Sequence, residues 1–442
     1  MLELTLRDEG VASSQTLTCQ AETGRASSDR RPPRLRSFNP PGYPQFAAAQ
    51  DRSVEADRAS YCRDESRAAV SRAQAGGRPA ESVDDEARRK RVHRCCAEYR
   101  STGPATRGRQ DLPNAVGGIM ARGQVLVTGG SGFVGSHCVV TLLNAGYRVR
   151  TSVRSSAREA DVRDMVARGG AEPGDTLTFA VADLTSDDGW PEAVDGCDYV
   201  LHVASPFPPD EPTDANKVIV PAGLGTLRVL RAARDAGVKR VVLTSSFAAI
   251  AHGHGKVDRE FTEDDWTNLD GGGVTAYVKS KVLAERAAWD FIKNEGEQTE
   301  LSVINPTATF GPTLSDDIPA SLIPILTLLV DPQALMPNIS FPVADVRDVA
   351  DIHMRAMTHH AAAGERFIVC CDGGPISMLQ AAYILRDWAG VKSVIAMPVI
   401  GDVLRPCNRK AKTVLGFTPG PIDEALLATA GSLVRLGLVP PP

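Results

Sequence analysis

The sequence predicts an α/β fold, with a doubly wound parallel sheet followed by a smaller C-terminal substrate-binding region. Two observations support this. From about residue 120 onward, short apolar runs alternate with amphipathic stretches, as expected when strands and helices alternate. The runs are apolar on both faces, which is typical of parallel strands covered by helices on either side.

The predicted elements follow this alternation. Amphipathic helices are expected at Ser136–Ala145, at Val218–Ala236 with Gly237 as a stop, and at Ala276–Asn294, because apolar residues recur there at helical spacing. The predicted strands are Gln124–Thr128, Tyr147–Val153, Thr176–Val181, Tyr199–Val203, Arg240–Thr244 and Leu301–Asn305.

Three regions are expected along the chain. Residues 1–119 are rich in Arg, Ser, Ala, Asp and Pro without a sustained apolar period, so we predict a disordered N-terminal extension. Met120 stands directly before the first strand, which suggests that the native protein starts there. Residues 120–306 are predicted to form a nucleotide-binding domain, and residues 307–442 mainly a lid over the substrate, with some segments returning to the core.

Composition limits the function classes. The 442 residues carry a formal net charge of −5, which gives no electrostatic reason for binding nucleic acid or an anionic membrane. The acidic start at Glu3, Asp8 and Glu9 does not fit a secretory signal, and the longest apolar stretch, Leu322–Val330, is too short to span a bilayer. We therefore expect a cytoplasmic protein with a small-molecule partner, either a monomer or a homodimer.

Metal binding is not expected. The nine cysteines form no C-x-x-C pair, and His252 and His254 have no third ligand at a suitable spacing, so we predict a flexible loop near the pocket for the two histidines. Cys370–Cys371 are predicted to be buried at the end of a strand, and His359–His360 to form a polar helix end.

A glycine-rich turn follows the first strand. Gly129, Gly132 and Gly135 have G-x-x-G-x-x-G spacing between the strand and the next helix. The first glycine permits a tight turn, the second lets the backbone approach a pyrophosphate, and the third lets the helix pack on the strand. This predicts a Rossmann-type dinucleotide site.

Positive charge follows the second strand, where the choice of nucleotide is made. An NAD site places a carboxylate on the ribose at this point, whereas this chain has Arg154 and, one turn later, Arg158. Because guanidinium groups bind phosphate in bidentate fashion, we predict NADP (NADPH) rather than NAD.

A tyrosine and a lysine lie four residues apart on a predicted helix. Tyr277 and Lys281 therefore share a face, and we expect the ammonium to lower the pKa of the phenol toward working pH. Ser246, at the end of the fifth strand, is predicted to orient a substrate carbonyl, with Ser245 as the alternative, since strand register is uncertain by one residue.

These stretches resemble the extended short-chain dehydrogenases, in particular the group of dihydroflavonol reductase, cinnamoyl-CoA reductase and fungal methylglyoxal reductase. The resemblance extends over nearly all of residues 120–437, and it implies that Ser246, Tyr277 and Lys281 form the catalytic triad. The cofactor contacts that the glycine turn, the strand ends and the resemblance together predict are Gly129, Ser131, Gly132, Phe133, Val134, Gly135, Arg154, Arg158, Asp183, Leu184, Val203, Ala204, Tyr277, Lys281 and Pro306.

The chain departs from the family pattern at three points. The stretch Val274–Val278 lacks the Asn-Trp-Tyr-Cys-Tyr pattern of cinnamoyl-CoA reductases, so a CoA thioester substrate is not expected. Thr307 replaces a glycine and is expected to narrow the pocket, and Cys407–Ala411 match the family's lid contact only in part.

The expected activity is the NADPH-dependent reduction of a ketone or aldehyde, with Tyr277 as the general acid. A hydroxysteroid dehydrogenase and a nucleotide-sugar epimerase share the same glycine turn and triad and remain alternatives. A non-catalytic NADP sensor is a third, although such proteins commonly lose the tyrosine or the lysine. An RNA-binding role for the Arg-rich extension is disfavoured by its interspersed acidic residues.

Overall fold

The computed structural model describes residues 122–172, 174–206, 214–331, 336–389 and 398–441. The predictions for residues 1–119 and for a start at Met120 lie outside the described residues. The strands are β1 (Arg122–Thr128), β2 (Tyr147–Val153), β3 (Leu177–Val181), β4 (Tyr199–His202), β5 (Arg240–Thr244), β6 (Glu260–Phe261), β7 (Glu300–Pro306), β8 (Ala308–Phe310), β9 (Ser340–Phe341), β10 (Val343–Asp345), β11 (Arg366–Val369), β12 (Ile376–Ser377) and β13 (Arg405–Pro406).

The α-helices connect these strands and cover the sheet. They are α1 (Phe133–Asn144), α2 (Glu159–Arg168), α3 (Trp190–Val194), α4 (Asn216–Asp235), α5 (Ala276–Glu295), α6 (Ile323–Val330), α7 (Val346–Thr358), α8 (Met378–Ala389), α9 (Arg409–Leu415) and α10 (Ile422–Arg435). Among the described residues, no helix is long and apolar enough to cross a membrane.

Seven of the described strands form one sheet in the order β11-β7-β5-β4-β1-β2-β3. Every neighbouring pair is parallel. β1 lies near the middle of the sheet, β2 and β3 follow it toward one edge, and the strands from β4 onward continue toward the other edge. A sheet wound in this way opens a crevice at the carboxyl ends of β1 and β4, where such folds bind ligands. The predicted fold class is confirmed.

The two faces of the sheet belong to two apolar cores. Val125 and Val127 of β1 pack with the residues of α1, α2 and α7 on one face. Leu126, between them, packs on the opposite face with α3, α4 and α5, where Trp190 and Phe291 are buried. Successive residues of a strand point to opposite faces, so a strand covered on both sides is apolar on both faces along most of its length.

A third apolar cluster lies in the C-terminal region. It joins α6, α8 and α10 to the short strands β8 and β10, around Leu322, Leu385 and Leu426. Phe133, the first residue of α1, packs against this cluster. The C-terminal region therefore lies beside the glycine turn.

All six predicted strands are present, with ends within two residues of the expected positions. The predicted start of the first helix at Ser136 is wrong, because α1 begins at Phe133, directly after Gly132. The seventh strand, β11, comes from the C-terminal region and pairs with β7. Cys370 and Cys371 follow it and are buried, as predicted.

Candidate active site

The glycine turn is shaped by close backbone contacts. Gly129 has a positive φ of +71°, a conformation that side chains other than glycine rarely adopt. Its carbonyl oxygen accepts a hydrogen bond from Gly132 N at 2.9 Å, and a methyl group on Gly135 would lie 2.8 Å from its carbonyl carbon. The exposed Gly132 is the N-cap of α1 and provides no side-chain cap. This cradle fits a dinucleotide pyrophosphate, which the N–H groups of a helix N-terminus bind.

The buried Thr128 joins this turn to the end of β4. Its Oγ1 accepts hydrogen bonds from Val203 N and Ala204 N, both at 3.0 Å, and lies 2.8 Å from His202 Nδ1. Ala204 in turn lies against Gly129, where an added Cβ would be 3.0 Å from the Ala204 Cβ. The predicted cofactor residues Val203 and Ala204 are thus held against the glycine turn.

His202 is neutral in this arrangement. Burial, assisted by the charge of Lys281, lowers its pKa to about 3. The Thr128 hydroxyl oxygen already accepts from two N–H groups, so we infer that its own O–H donates to His202 Nδ1. Nδ1 is then the unprotonated acceptor, and the ring proton of the histidine is on Nε2. Within the part of the chain that the structure describes, that buried Nε2 has no hydrogen-bond partner.

The predicted nucleotide-selecting residues lie beyond β2, and the predicted cofactor residue Asp183 lies beyond β3. Arg154 is exposed, whereas Arg158 forms ion pairs with Asp161 at 3.3 Å and Asp317 at 3.8 Å. Asp183 accepts hydrogen bonds from the backbone and hydroxyl of Thr185, which lower the pKa of its carboxyl, with a smaller contribution from the charge of Arg154.

The remaining predicted cofactor residues lie at or near strand ends, in the glycine turn and at the start of α1. Leu184 packs against Gly225 of α4, where an added Cβ would lie 2.8 Å from the Leu184 Cβ. Pro306 is buried at the end of β7 and faces Val369 of β11. Ser131, Phe133 and Val134 lie in the glycine turn and the first turn of α1.

Ser246, Tyr277 and Lys281 come together at the carboxyl end of β5. Thr275 caps α5, its Oγ1 accepting from Val278 N at 3.3 Å, and this fixes the turn that carries Tyr277. The Ser246 hydroxyl hydrogen-bonds the Tyr277 phenol. Lys281 Nζ lies 5.8 Å from the centre of the tyrosine ring and donates to Ser205 Oγ at 3.0 Å.

The two adjacent serines face different partners. Ser246 Oγ lies near Tyr277 and accepts a hydrogen bond from Ala248 N at 3.1 Å. Ser245 is buried, and its hydroxyl donates to Glu285 at 2.5 Å. Of the two, the structure therefore places Ser246 beside the phenol. The catalytic roles of the three residues stay predictions.

The pKa shifts in this group follow burial. Burial raises the pKa of Tyr277, and the hydrogen bond from Ser246 opposes it. Burial also lowers the pKa of Lys281 to about 8, with the charge of Glu285 opposing it. The pKa of Tyr277 was expected to be lowered, whereas in this structure it is raised, because the loss of water around a buried phenolate outweighs the hydrogen bond from Ser246.

The histidines that sequence reasoning set aside occupy packed positions. His254 Nε2 lies 3.0 Å from the carbonyl oxygen of Trp266, and its ring packs on Phe261. Burial lowers the pKa of His252, which lies in the same loop. His359 and His360 follow α7 and stack on each other, with ring centres 4.7 Å apart.

Thr128 and Glu285 were missed as site residues. Thr128 is the last residue of β1, and the only available signal was its position at the end of a parallel strand. Glu285 follows Lys281 by four residues, so helical spacing was the signal that would have identified it.

Comparisons with known proteins agree with this arrangement. Residues 125–370 match the model of the NAD dependent epimerase/dehydratase family. Dihydroflavonol 4-reductase of Hordeum vulgare is 32% identical over 348 residues, which cover 73% of this chain and 93% of the relative. Cinnamoyl-CoA reductase 2 of Arabidopsis thaliana is 36% identical over 324 residues, covering 72% and 94% of the two chains.

A solved structure extends the comparison to three dimensions. Yeast methylglyoxal/isovaleraldehyde reductase Gre2, complexed with NADPH, matches with a TM-score of 0.63 and 27% identity, over 71% of this chain and 99% of that chain. Fold, glycine turn and comparisons together define an NAD(P)-dependent oxidoreductase of the extended short-chain dehydrogenase type. The chain belongs to the NAD dependent epimerase/dehydratase family. The predicted resemblance is confirmed.

Proposed function

We propose that this protein is an NADPH-dependent carbonyl reductase that converts a ketone or aldehyde to an alcohol. The observation that carries the proposal is the Ser246–Tyr277–Lys281 group, with the Ser246 hydroxyl hydrogen-bonded to the phenol and Lys281 one helical turn away. When bound, NADPH supplies the hydride that the carbonyl carbon accepts.

Each residue has one task in this proposal. Ser246 donates a hydrogen bond to the carbonyl oxygen and so orients it beside Tyr277. Tyr277 gives its phenolic proton to that oxygen as the alcohol forms, and the ammonium of Lys281 stabilises the phenolate left behind until solvent reprotonates it. The raised pKa of Tyr277 keeps the phenol protonated at neutral pH, which favours reduction of a carbonyl over oxidation of an alcohol.

Substitution of Tyr277 tests this mechanism. Tyr277→Phe removes the proton donor but keeps the ring, so we expect kcat/KM to fall by roughly 10²- to 10⁴-fold, which is the usual contribution of a positioned general acid. The assay follows NADPH oxidation with small aldehydes, α-dicarbonyls, aryl ketones and dihydroflavonols. Full activity in the variant would remove Tyr277 from the mechanism. Tight NADPH binding without turnover of any substrate by the unsubstituted protein would favour the epimerase or sensor alternative.

The cofactor preference rests on charge beyond β2. Arg154 is exposed at the position where an NAD site carries an acid, and the yeast neighbour is complexed with NADPH. Arg154→Asp is therefore expected to weaken NADPH binding by at least about tenfold more than NADH binding, the loss of one charge-assisted contact. Fluorescence titration with both nucleotides measures the ratio. Equal weakening of the two would contradict the assignment.

A further inference from the structure

A carboxylate lies buried one helical turn beyond Lys281. Glu285 shares a face of α5 with Tyr277 and Lys281, since the three are spaced by four residues. Its side chain is 0% exposed. A buried ionised carboxylate is costly unless hydrogen bonds and a cation compensate it, so its partners show what holds it there.

Four donors surround the Glu285 carboxylate. On Oε2, the Ser245 hydroxyl donates at 2.5 Å and Asn305 Nδ2 at 2.9 Å. On Oε1, Arg366 Nε donates at 2.6 Å and Trp289 Nε1 at 3.3 Å. Three of these donors come from three different strands of the sheet, β11 for Arg366, β7 for Asn305 and the end of β5 for Ser245.

Two of the donors adjoin residues of the proposed site. Ser245 precedes Ser246, and Asn305 precedes Pro306. Asn305 Nδ2 also lies 3.2 Å from the carbonyl oxygen of Ser246. The carboxylate therefore fixes the ends of β5 and β7 against α5, in the part of the sheet that carries the serine.

The charged and titratable groups near Lys281 come from three elements of the fold. Its own helix provides the Tyr277 phenol and the Glu285 carboxylate, and β4 provides the neutral His202. Arg366, on β11, donates its Nε to Glu285, and its Nη1 donates to the carbonyl oxygens of Glu263 at 2.7 Å and Asp265 at 2.8 Å. Its guanidinium also stacks 4.0 Å from the centre of the Trp266 ring.

Among the residues that the structure describes, Glu285 is the anion whose charge acts on the buried ammonium. It raises the pKa of Lys281 against the larger effect of burial, which lowers that pKa to about 8. Without this carboxylate, burial would act on the ammonium unopposed, and Lys281 would lose its charge nearer to neutral pH.

We propose that Glu285 is a positioning residue of the active site, which ties the ends of β5 and β7 to α5 and places a negative charge one helical turn from the Lys281 ammonium that supports Tyr277. The second part of this inference rests on the proposed reductase function. The first part depends only on the fold.

The test compares Glu285→Gln with a control variant, Trp289→Phe. Glu285→Gln removes the charge with little change in shape, and Trp289→Phe removes one donor from the same carboxylate without changing its charge. The first measurement is the pH dependence of Lys281 labelling by an amine-reactive reagent in the cofactor-free protein, followed by mass spectrometry. The second is the alkaline limb of the pH profile of kcat/KM with NADPH and the best carbonyl substrate.

In Glu285→Gln, both midpoints are expected to fall by roughly one pH unit, as removal of a nearby charge in a partly screened interior predicts. In Trp289→Phe both are expected to stay in place. Glu285→Gln leaves Arg366 buried without its anion and can fail to fold, so the double variant Glu285→Gln/Arg366→Gln is measured alongside. It is expected to show a fall in the same direction but a smaller one, because a cation is removed together with the anion.

Unchanged midpoints in folded Glu285→Gln, or in the double variant, would overturn the inference. So would an equal fall in Trp289→Phe, because that would trace the shift to packing rather than to charge. If the unsubstituted protein reduces no carbonyl compound, the proposed function fails, and the labelling midpoint still decides the role of Glu285.

Discussion

Replacement of Thr128 by valine tests how the glycine turn is held. Valine has nearly the shape of threonine, so packing at this fully buried position is preserved while the hydroxyl is lost. The N–H groups of Val203 and Ala204 and the Nδ1 of His202 then lose their partner. A buried polar group left unpaired costs about 1 to 3 kcal/mol. Val203 and Ala204 are only half-buried, so the lower end applies to their N–H groups, whereas His202 is buried; the total is about 3 to 5 kcal/mol for the three groups.

Urea unfolding measures this loss, with NADPH titration as the second readout. We expect Thr128→Val to lower the free energy of unfolding by that amount and to weaken NADPH binding, because Ala204 packs on Gly129. Thr128→Ser keeps the hydroxyl and loses one methyl group, so it should cost only about 1 kcal/mol. If Thr128→Val unfolds at the same urea concentration as the unsubstituted protein, or Thr128→Ser is the more damaging change, the hydroxyl does not hold the turn.

Two further predictions concern stability. Gly135→Ala places a methyl group 2.8 Å from the Gly129 carbonyl carbon, so it should lower the free energy of unfolding by about 1 to 3 kcal/mol and weaken NADPH binding. Gly223→Ala, with no atom near its added Cβ, should leave the Tm unchanged or raise it. Equal Tm values for the two variants would contradict this prediction. Burial lowers the pKa of His137 and His353 to about 4 and of His202 to about 3. The unfolded chain therefore takes up protons first below about pH 6.5, so the stability present above that pH is lost as the pH falls toward 4, by roughly 1 to 2 kcal/mol per histidine between pH 7 and 5. Urea unfolding at both pH values measures the loss, and equal stability would refute it.

The fold was predictable because its causes are local. Strands covered on both faces are apolar along most of their length, so six strands of the parallel sheet are evident as largely apolar runs. The spacing of Gly129, Gly132 and Gly135 follows from backbone contacts within one turn, and Tyr277 and Lys281 share a face because a helix repeats at that interval. The choice between Ser245 and Ser246 stayed open, because one residue of register decides which side of the strand end a hydroxyl occupies.

The sequence by itself therefore determined the α/β order, the glycine turn and the candidate triad. Tertiary structure decided the rest, because it depends on residues distant in the chain. Glu285 meets Arg366 across 81 positions, and Thr128 meets His202 across 74. The pKa of Tyr277 likewise depends on how deeply neighbouring elements bury the phenol, so helical spacing alone predicted the wrong direction. Spacing specifies which side chains share a face, and packing decides how much water each of them loses.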